Sequence, residues 1–271
     1  MGRSIKLSMP TMTILETLRE GWRLRRVWWF TATARTRARF ARTFFGSFWL
    51  GFSNLLSITV LALVYGTVFK VEHFSTYVVY LGLGLAIWNS LASAIGAAPN
   101  LFEHNASHLN NTNLHPVFYT LEEWAFQVQT FLQSFVLVLL ALTFFQHDLV
   151  LHLLTSSWLP LFNFLIFIYW VPLIVCLLGA RYRDLYQLVP IILQLVFLLS
   201  PILYEKKNLA GLAWTADLNP LYRILSPLRH VLIQGSPLIW QDLFMLAANI
   251  AGLLFALSML NRERRYLPFL I

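Results

Sequence analysis

Six long stretches without a charged residue constrain this chain more than any other feature. Within its 271 residues, Asp, Glu, Lys and Arg are absent from 43–69, 74–102, 124–146, 149–180, 185–204 and 243–260. A helix of ~18–20 apolar residues is long enough to cross a ~30 Å hydrocarbon core. We therefore predict an all-α polytopic membrane protein, with a transmembrane domain over 48–260 and helices at about 48–69, 76–98, 124–146, 158–179, 185–204 and 240–260.

The composition excludes ordinary soluble and disordered proteins. The chain is 58% hydrophobic and only 12% charged, whereas an average soluble domain is about 45–50% apolar and about 25% charged. The single cysteine, Cys176, lies inside an apolar stretch, so we interpret it as a packing residue rather than part of a disulfide framework.

The distribution of basic residues predicts the orientation. Six crossings place both termini on one side, and that side carries fifteen of the 20 Lys and Arg residues. Because basic residues concentrate in cytoplasmic loops, we predict a cytoplasmic N-terminal region at 1–47 and a cytoplasmic tail at 261–271. The same distribution accounts for the net charge of +8, so nucleic acid is not an expected partner.

The N-terminal region contains an amphipathic pattern at 12–26. Apolar residues and Trp22 follow helical spacing, while Arg19, Arg23 and Arg26 occupy the other side. Such a helix is suited to lie flat against membrane lipids. It is interpreted as an anchor or, alternatively, as a surface that meets partners or anionic substrates.

Residues 205–237 are too polar for a simple crossing and too apolar for a free loop. One helical face is apolar and broken by Pro227, and the opposite face offers Arg223, Arg229 and His230. We predict a re-entrant hairpin, which serves either as an external gate or as a structural plug.

The polar loop at 99–123 is the longest connection on the cytoplasmic side. His104 and His108 are spaced like two metal ligands, but no third ligand is close in sequence, and a docking loop fits better. The loop ends with Glu122 and Glu123, for which we expect no cavity that the two carboxylates would face.

The motifs of common enzymes are absent from the sequence. It contains no G-x-x-x-x-G-K-[ST], H-E-x-x-H, G-x-S-x-G or C-x-x-C, so we predict no catalytic residue, cofactor or metal site and no nucleotide binding by the chain itself. The predicted spans hold neutral amides and almost no charge, which disfavours ion coupling. Energy for transport would then come from another subunit.

Three motifs, in order along the chain, resemble the permeases of polysaccharide ABC exporters. They are the entry segment RFARTFFGSFW at 39–49, the segment GARYRDL at 179–185 with SPIL at 200–203, and NPLY at 219–222. The resemblance implies a homodimer that binds two copies of a separate ABC ATPase, which would hold ATP and Mg. It also implies export of undecaprenyl-linked polysaccharide, foremost O-antigen, across the bacterial cytoplasmic membrane.

Residue types and spacing, together with the resemblance, assign residues to roles, although the aromatic side chains at the entry are also typical of an ordinary core or an interfacial belt. Those at the substrate entry and channel would be Arg35, Arg39, Arg42, Phe45, Phe48, Trp49 and Phe52, with the arginines receiving the lipid pyrophosphate or serving only membrane topology. Those that couple to the ATPase would be Asn100, Glu103, His104, His108 and His115. The cytoplasmic end of the fifth helix would hold Arg181, Arg183 and Asp184, and the external gate would hold Asn219, Pro220, Tyr222, Arg223 and Arg229.

One departure concerns the segment NTNLHP at 111–116, where the family commonly has a basic run and Phe-Pro. The alternatives are export of teichoic acid or capsule, a permease for a small lipid or drug, a membrane-embedded enzyme acting on lipid-linked sugars, and a scaffold without transport.

Overall fold

The computed structural model describes residues 13–46, 48–112 and 114–270. The first twelve residues of the predicted N-terminal region, Ser47 of the entry segment, Asn113 of the NTNLHP segment and Ile271 of the tail lie outside the described residues. The described part of the chain is helical and contains no strand, as expected for a polytopic α-helical membrane protein.

Long helices alternate with short ones along the described chain. In chain order they are α1 (Ile14–Arg23), α2 (Arg25–Arg39), α3 (Phe48–Val68), α4 (Phe74–Ala97), α5 (Leu101–His104), α6 (Ala106–Asn111), α7 (Val117–Leu142), α8 (Leu149–Thr155), α9 (Trp158–Arg181), α10 (Leu185–Leu199), α11 (Ala213–Leu218), α12 (Pro220–Gln234), α13 (Ile239–Glu263) and α14 (Leu267–Leu270). Two 3₁₀ turns, Ala98–Asn100 and Lys206–Leu212, complete the described elements.

Five helical segments in the described chain have the length and composition to cross a membrane. They are Phe48–Val68, Phe74–His104, Val117–Leu142, Trp158–Arg181 and Ile239–Glu263. The second segment is the centre of the bundle. In its most apolar stretch of 18 residues, 72% of the residues are buried, whereas the corresponding share in α3 is 17%.

The fifth predicted span differs from the expectation. α10 has only 15 residues, about 22 Å of helix, and ends at Leu199. Ser200 has a ψ of 135° because the following Pro201 disfavours helical backbone at the residue before it. Residues 200–204 therefore leave the helix, although the prediction included them in the span.

Both ends of the described chain lie on one side of the bundle, which we call the near side. The Thr17 hydroxyl donates to Asn261 Oδ1 over 2.7 Å, which joins α1 to the last turns of α13. α9 also ends on the near side, because a Cβ at Gly179 would lie 2.5 Å from Pro99 O. The chain consequently returns to the opposite side of the bundle, which we call the far side, between α9 and α13. α10 lies in this part of the chain.

The described part of the amphipathic segment, residues 13–26, forms α1 and the start of α2, with the break at Leu24. A capping box between Thr13 and Glu16 begins α1, since each side chain satisfies a backbone N–H of the other residue. The side chains of Leu15 and Trp22 remain exposed.

Two segments placed outside the spans are more helical than expected. The loop predicted at 99–123 contains α5 and α6, and α7 already begins at Val117. In the predicted hairpin, α12 continues through Pro227 without a break. A proline removes one backbone donor from a helix, and here the surrounding apolar face of α12 is buried and supports the helix.

Candidate functional site

A near-side cavity of about 550 Å³ lies between α2, the short helices α5 and α6, and the start of α7. Its wall includes His104 and His108 together with Glu122 and Glu123. We did not expect the two carboxylates to face a cavity, and this expectation was wrong. Because α7 begins at Val117, both residues sit in its second turn rather than in a loop.

Arg35 forms an ion pair with both carboxylates of this acidic pair. Its Nη1 lies 2.6 Å from Glu123 Oε2 and 3.4 Å from Glu122 Oε2, and its guanidinium lies over the ring of Phe126, 4.1 Å from the centroid. The guanidinium thus serves a structural ion pair through Nη1, while its side chain remains 41% exposed. The pyrophosphate role of Arg35 stays a prediction.

Hydrogen bonds connect the acidic pair to amides inside the bundle. The Gln127 side-chain amide donates to Glu123 Oε1 over 2.8 Å, and Ser93 Oγ donates to Gln127 Oε1 over 2.9 Å. Further along α4, Asn89 donates to Asn54 over 2.9 Å, and Asn54 donates to Ser134 over 2.6 Å. We call these five residues of α3, α4 and α7 the polar seam, comprising Asn54, Asn89, Ser93, Gln127 and Ser134.

The polar seam surrounds a cavity of about 140 Å³, and Arg39 is part of its wall. Along α4 and the 3₁₀ turn that follows it, the seam continues as an exposed face of small or polar residues, namely Asn89, Ser93, Ala97 and Asn100. This face spans about 17 Å at the ~1.5 Å rise per residue of a helix. Polar groups at membrane depth are stable only against protein or water, so this face is unsuited to contact with lipid.

Not all predicted interior amides belong to the polar seam. Asn249 donates to the backbone and side-chain oxygens of Asn163, both over 3.2 Å, and accepts from the Trp170 indole over 3.0 Å. The Asn163 and Asn249 side chains are buried between α9 and α13, so they hold the bundle together.

The four candidate aromatic residues at the entry to α3 are all exposed, and three of them form one stacked set. Phe45 lies 5.6 Å from Trp49 and 5.9 Å from Phe52, measured between ring centroids. Phe48 is exposed at the start of α3 and has no ring contact among the described residues. We call Phe45, Trp49 and Phe52 the aromatic cluster.

The residues expected at the fifth-helix motif and the coupling region meet on the near side. Arg183 Nη2 lies 3.7 Å from Glu103 Oε1 in an exposed pair, Arg181 lies near the ring of Tyr182, and Asp184 precedes the first residue of α10. Asn100 lines the near-side cavity together with both histidines. Arg39 and Arg42 are exposed.

His115 is the one coupling candidate with a clearly perturbed environment in the described chain. Its Nδ1 accepts a hydrogen bond from the Val117 N–H over 3.1 Å, while its Nε2 is buried without a partner. Burial, followed by the positive charge of Arg264, lowers the pKa of His115 to about 4. The imidazole is consequently neutral near pH 7.

Asn219 and Pro220 begin α12 on the far side. Asn219 Oδ1 accepts from the backbone N–H groups of Leu221 and Tyr222 over 2.9 and 3.4 Å, and Pro220 occupies a first-turn position, where a missing donor costs nothing. Arg223 is exposed and donates through Nε to the Asp217 carbonyl.

Arg229 is buried, which corrects its predicted place on the polar face of the hairpin. Its residue surface is only 4% exposed, Nη1 donates to the Pro201 carbonyl over 3.1 Å, and the guanidinium lies 3.7 Å from the Tyr80 ring centroid. The helical pattern of α12 did not reveal the burial of Arg229, because α4 and residues 200–204 cover this side of α12 only in the folded chain.

The sequence also failed to reveal that two hydrogen-bonded groups, Ser93 with Gln127 and Asn54 with Asn89 and Ser134, surround one cavity, and that Gln127 joins the first group to Glu123. The available signal was spacing, since Glu123 and Gln127, like Asn89 and Ser93, are four residues apart and share a helix face. In the described chain, no group of three or more His, Cys, Asp or Glu residues could hold a metal ion.

A protein-family model described as ABC-2 type transporter matches residues 30–233 of the chain. The matched region begins within α2 and ends in α12, so it contains the acidic pair, the polar seam and α10. No curated protein matches the chain significantly.

Proposed function

The chain belongs to the ABC-2 type transporter family, and on that premise we propose that it is the permease subunit of an exporter of undecaprenyl-linked polysaccharide, foremost O-antigen. Membership in the family makes the chain the membrane component of a transporter and implies an ABC ATPase as its partner. We also propose the identity of the polymer, the location in the bacterial cytoplasmic membrane and the assembly as a homodimer.

The polar seam supports a hydroxylated substrate. Its side chains are neutral amides and hydroxyls, which can donate and accept hydrogen bonds to sugar hydroxyls without binding a charge tightly. A long chain that must move continuously needs many weak contacts of this kind, because one tight site would stall it. An acyl chain would gain nothing from the same amides.

A homodimer fits the exposed surfaces that flank the polar seam. α3 is the least buried of the spanning helices and carries the aromatic cluster, and the exposed face of α4 lies beside it. A channel between two protomers would place these surfaces against the polymer rather than against lipid. Arg39 and Arg42 at the near-side mouth would receive the lipid pyrophosphate.

The near side provides the surface for two copies of the ATPase, which would bind ATP and Mg. α5 and α6 carry Glu103, His104 and His108, Asn100 precedes them and His115 follows them. Closure of the ATPase subunits would push these short helices and, through the acidic pair, the polar seam. We place this side in the cytoplasm of a bacterium and the far side in the periplasm.

Two alternatives remain within the same family, namely export of teichoic acid or capsule and transport of a small lipid or drug. A membrane-embedded enzyme is disfavoured by the near-side cavity. Its two carboxylates are engaged by Arg35 and Gln127, whereas a general acid or base must reach the substrate.

Co-purification tests the proposal directly. The protein would be extracted from its native membrane, and ATPase activity would be measured on the material that accompanies it. We expect a stoichiometric P-loop subunit whose hydrolysis responds to lipid-linked polysaccharide. A protein that purifies alone, without nucleotide-dependent activity, would contradict the exporter.

A further inference from the structure

The far side contains a cavity larger than the near-side cavity or the one within the polar seam. This far-side cavity has a volume of about 740 Å³ and lies between the start of α4, the residues that follow α10, and α12. Arg229 and Tyr222 belong to its wall, so the residues expected at a gate also enclose a space of substantial size. Ligand pockets commonly measure ~300–1,000 Å³.

The wall chemistry restricts what can occupy this cavity. It presents Lys70 and Lys206 together with Glu72 and Glu205, so both signs of charge are present. An acyl chain would displace water from the exposed Lys70 and Glu72 without replacing its hydrogen bonds, and a single small ion would leave most of the volume unfilled. An occupant with many hydroxyl groups can serve as donor to the carboxylates and as acceptor for the cations.

Four tyrosines belong to the same wall, of which Tyr77 and Tyr222 are buried, while Tyr80 and Tyr204 are partly exposed. Sugar rings have apolar C–H faces and polar hydroxyl edges, so they combine aromatic stacking with hydrogen bonds to charged side chains. Partly exposed tyrosines beside charges of both signs therefore match the chemistry of a saccharide.

The central part of the wall is held in place before any ligand binds. The hydroxyl of Tyr80 donates to the Pro201 carbonyl over 3.0 Å, the same carbonyl accepts from Arg229, and the Tyr77 hydroxyl donates to the Leu203 carbonyl over 2.7 Å. Side chains that are already ordered lose little conformational entropy on binding. These contacts also fix residues 201–203, so the cavity and the end of α10 form one unit.

We propose that the far-side cavity is a binding site for saccharide units of the polymer leaving the permease. The inference rests on the proposed function, and it adds a site away from the polar seam. Between Tyr80 and Asn89, residues 81–88 of α4 are buried, so the far-side cavity is separated along α4 from the polar seam. A chain held there after translocation would be hindered from sliding back.

Photo-crosslinking in living cells tests this site whatever the chemical structure of the polymer. Phe69 lines the cavity and is 42% exposed, so Phe69→p-benzoylphenylalanine places a photoreactive benzophenone at the cavity from a position that is already aromatic and exposed. Phe145 is 48% exposed on the same side and lies outside the cavity wall, which makes Phe145→p-benzoylphenylalanine a matched control. After irradiation, the purified protein would be oxidised with periodate and labelled with a hydrazide, which detects vicinal diols of attached glycan.

The expected result is hydrazide label on the Phe69 variant and not on the Phe145 variant. Filling the cavity with Ser226→Trp should reduce the Phe69 label roughly tenfold, equivalent to about 1.4 kcal/mol of binding free energy, at an equal amount of protein in the membrane. Thr76→p-benzoylphenylalanine supplies a second position in the wall if the Phe69 variant does not accumulate.

Absence of label at both cavity positions, or equal label at Phe145, in cells that still display polymer would overturn the saccharide site and leave the proposed function intact. Normal polymer display in a strain that lacks the protein would instead overturn the proposed function. The two failures are therefore distinguished by the display assay.

Discussion

Arg35 of α2 and Glu123 of α7 form an ion pair, with 2.6 Å between Nη1 and Oε2. The carboxylate of Glu123 also accepts from Gln127, so this pair links the N-terminal helices to the polar seam. Movement of α2 relative to α7 would break a charged contact whose acidic side is buried. The pair thus stabilises the position of α2 relative to α7.

Arg35→Gln is expected to lower the stability of the protein. The substitution leaves Glu122 and Glu123 buried without a cation, and because Arg35 itself is partly exposed, we expect a loss of roughly 1–3 kcal/mol. Thermal unfolding in detergent measures the effect, with the exposed Arg37→Gln as the control. Equal melting temperatures for the two variants would show that the pair contributes nothing.

Arg39→Gln combined with Arg42→Gln is expected to reduce export while leaving membrane insertion intact. Both arginines are exposed at the near-side mouth, and their removal takes away two guanidinium groups that match phosphate. Surface polymer and protein in the membrane fraction would be measured together. The matched control is Arg19→Gln with Arg26→Gln, and normal export by the first variant would refute the phosphate role.

Asn89→Leu and Asn249→Leu are expected to act on different properties. Asn89 lies on the exposed part of the polar seam, so its replacement should reduce export and change the free energy of unfolding by about 0.5 kcal/mol or less. Asn249→Leu should cost roughly 1–3 kcal/mol, since the partly buried Trp170 indole and the buried Asn163 oxygens lose their partner. Export and melting temperature would be measured on both variants. If the two substitutions changed both properties to the same extent, the distinction would be wrong.

The stability of the protein is expected to fall as the pH drops from about 6.5 toward 4. In the unfolded chain His115 gains a proton near its ordinary pKa of about 6.5, whereas in the folded protein its pKa is about 4 because of burial and Arg264. The unfolded state therefore binds more protons in this window, which favours unfolding. His115→Gln should flatten the profile between these pH values, and the exposed His147→Gln should not.

Sequence patterns were sufficient for the class of fold. Because a bilayer demands long uncharged helices, the bounds of four spans could be placed within a few residues of α3, α4, α9 and α13. α7 begins seven residues earlier than predicted, since the polar side chains of its first turns are covered by α2. α10 is shorter than predicted because a local proline, rather than hydropathy, ends it.

The candidate site depended more on the tertiary structure. Residue type and resemblance nominated Arg35 and Arg229 as free cations, yet one is held by two carboxylates from α7 and the other is buried against Tyr80. Each partner lies far away along the chain, and nothing in the local pattern of α2 or α12 reports it. The charge of a side chain is visible in the sequence, but whether that charge is available to a ligand depends on which helices fold against it.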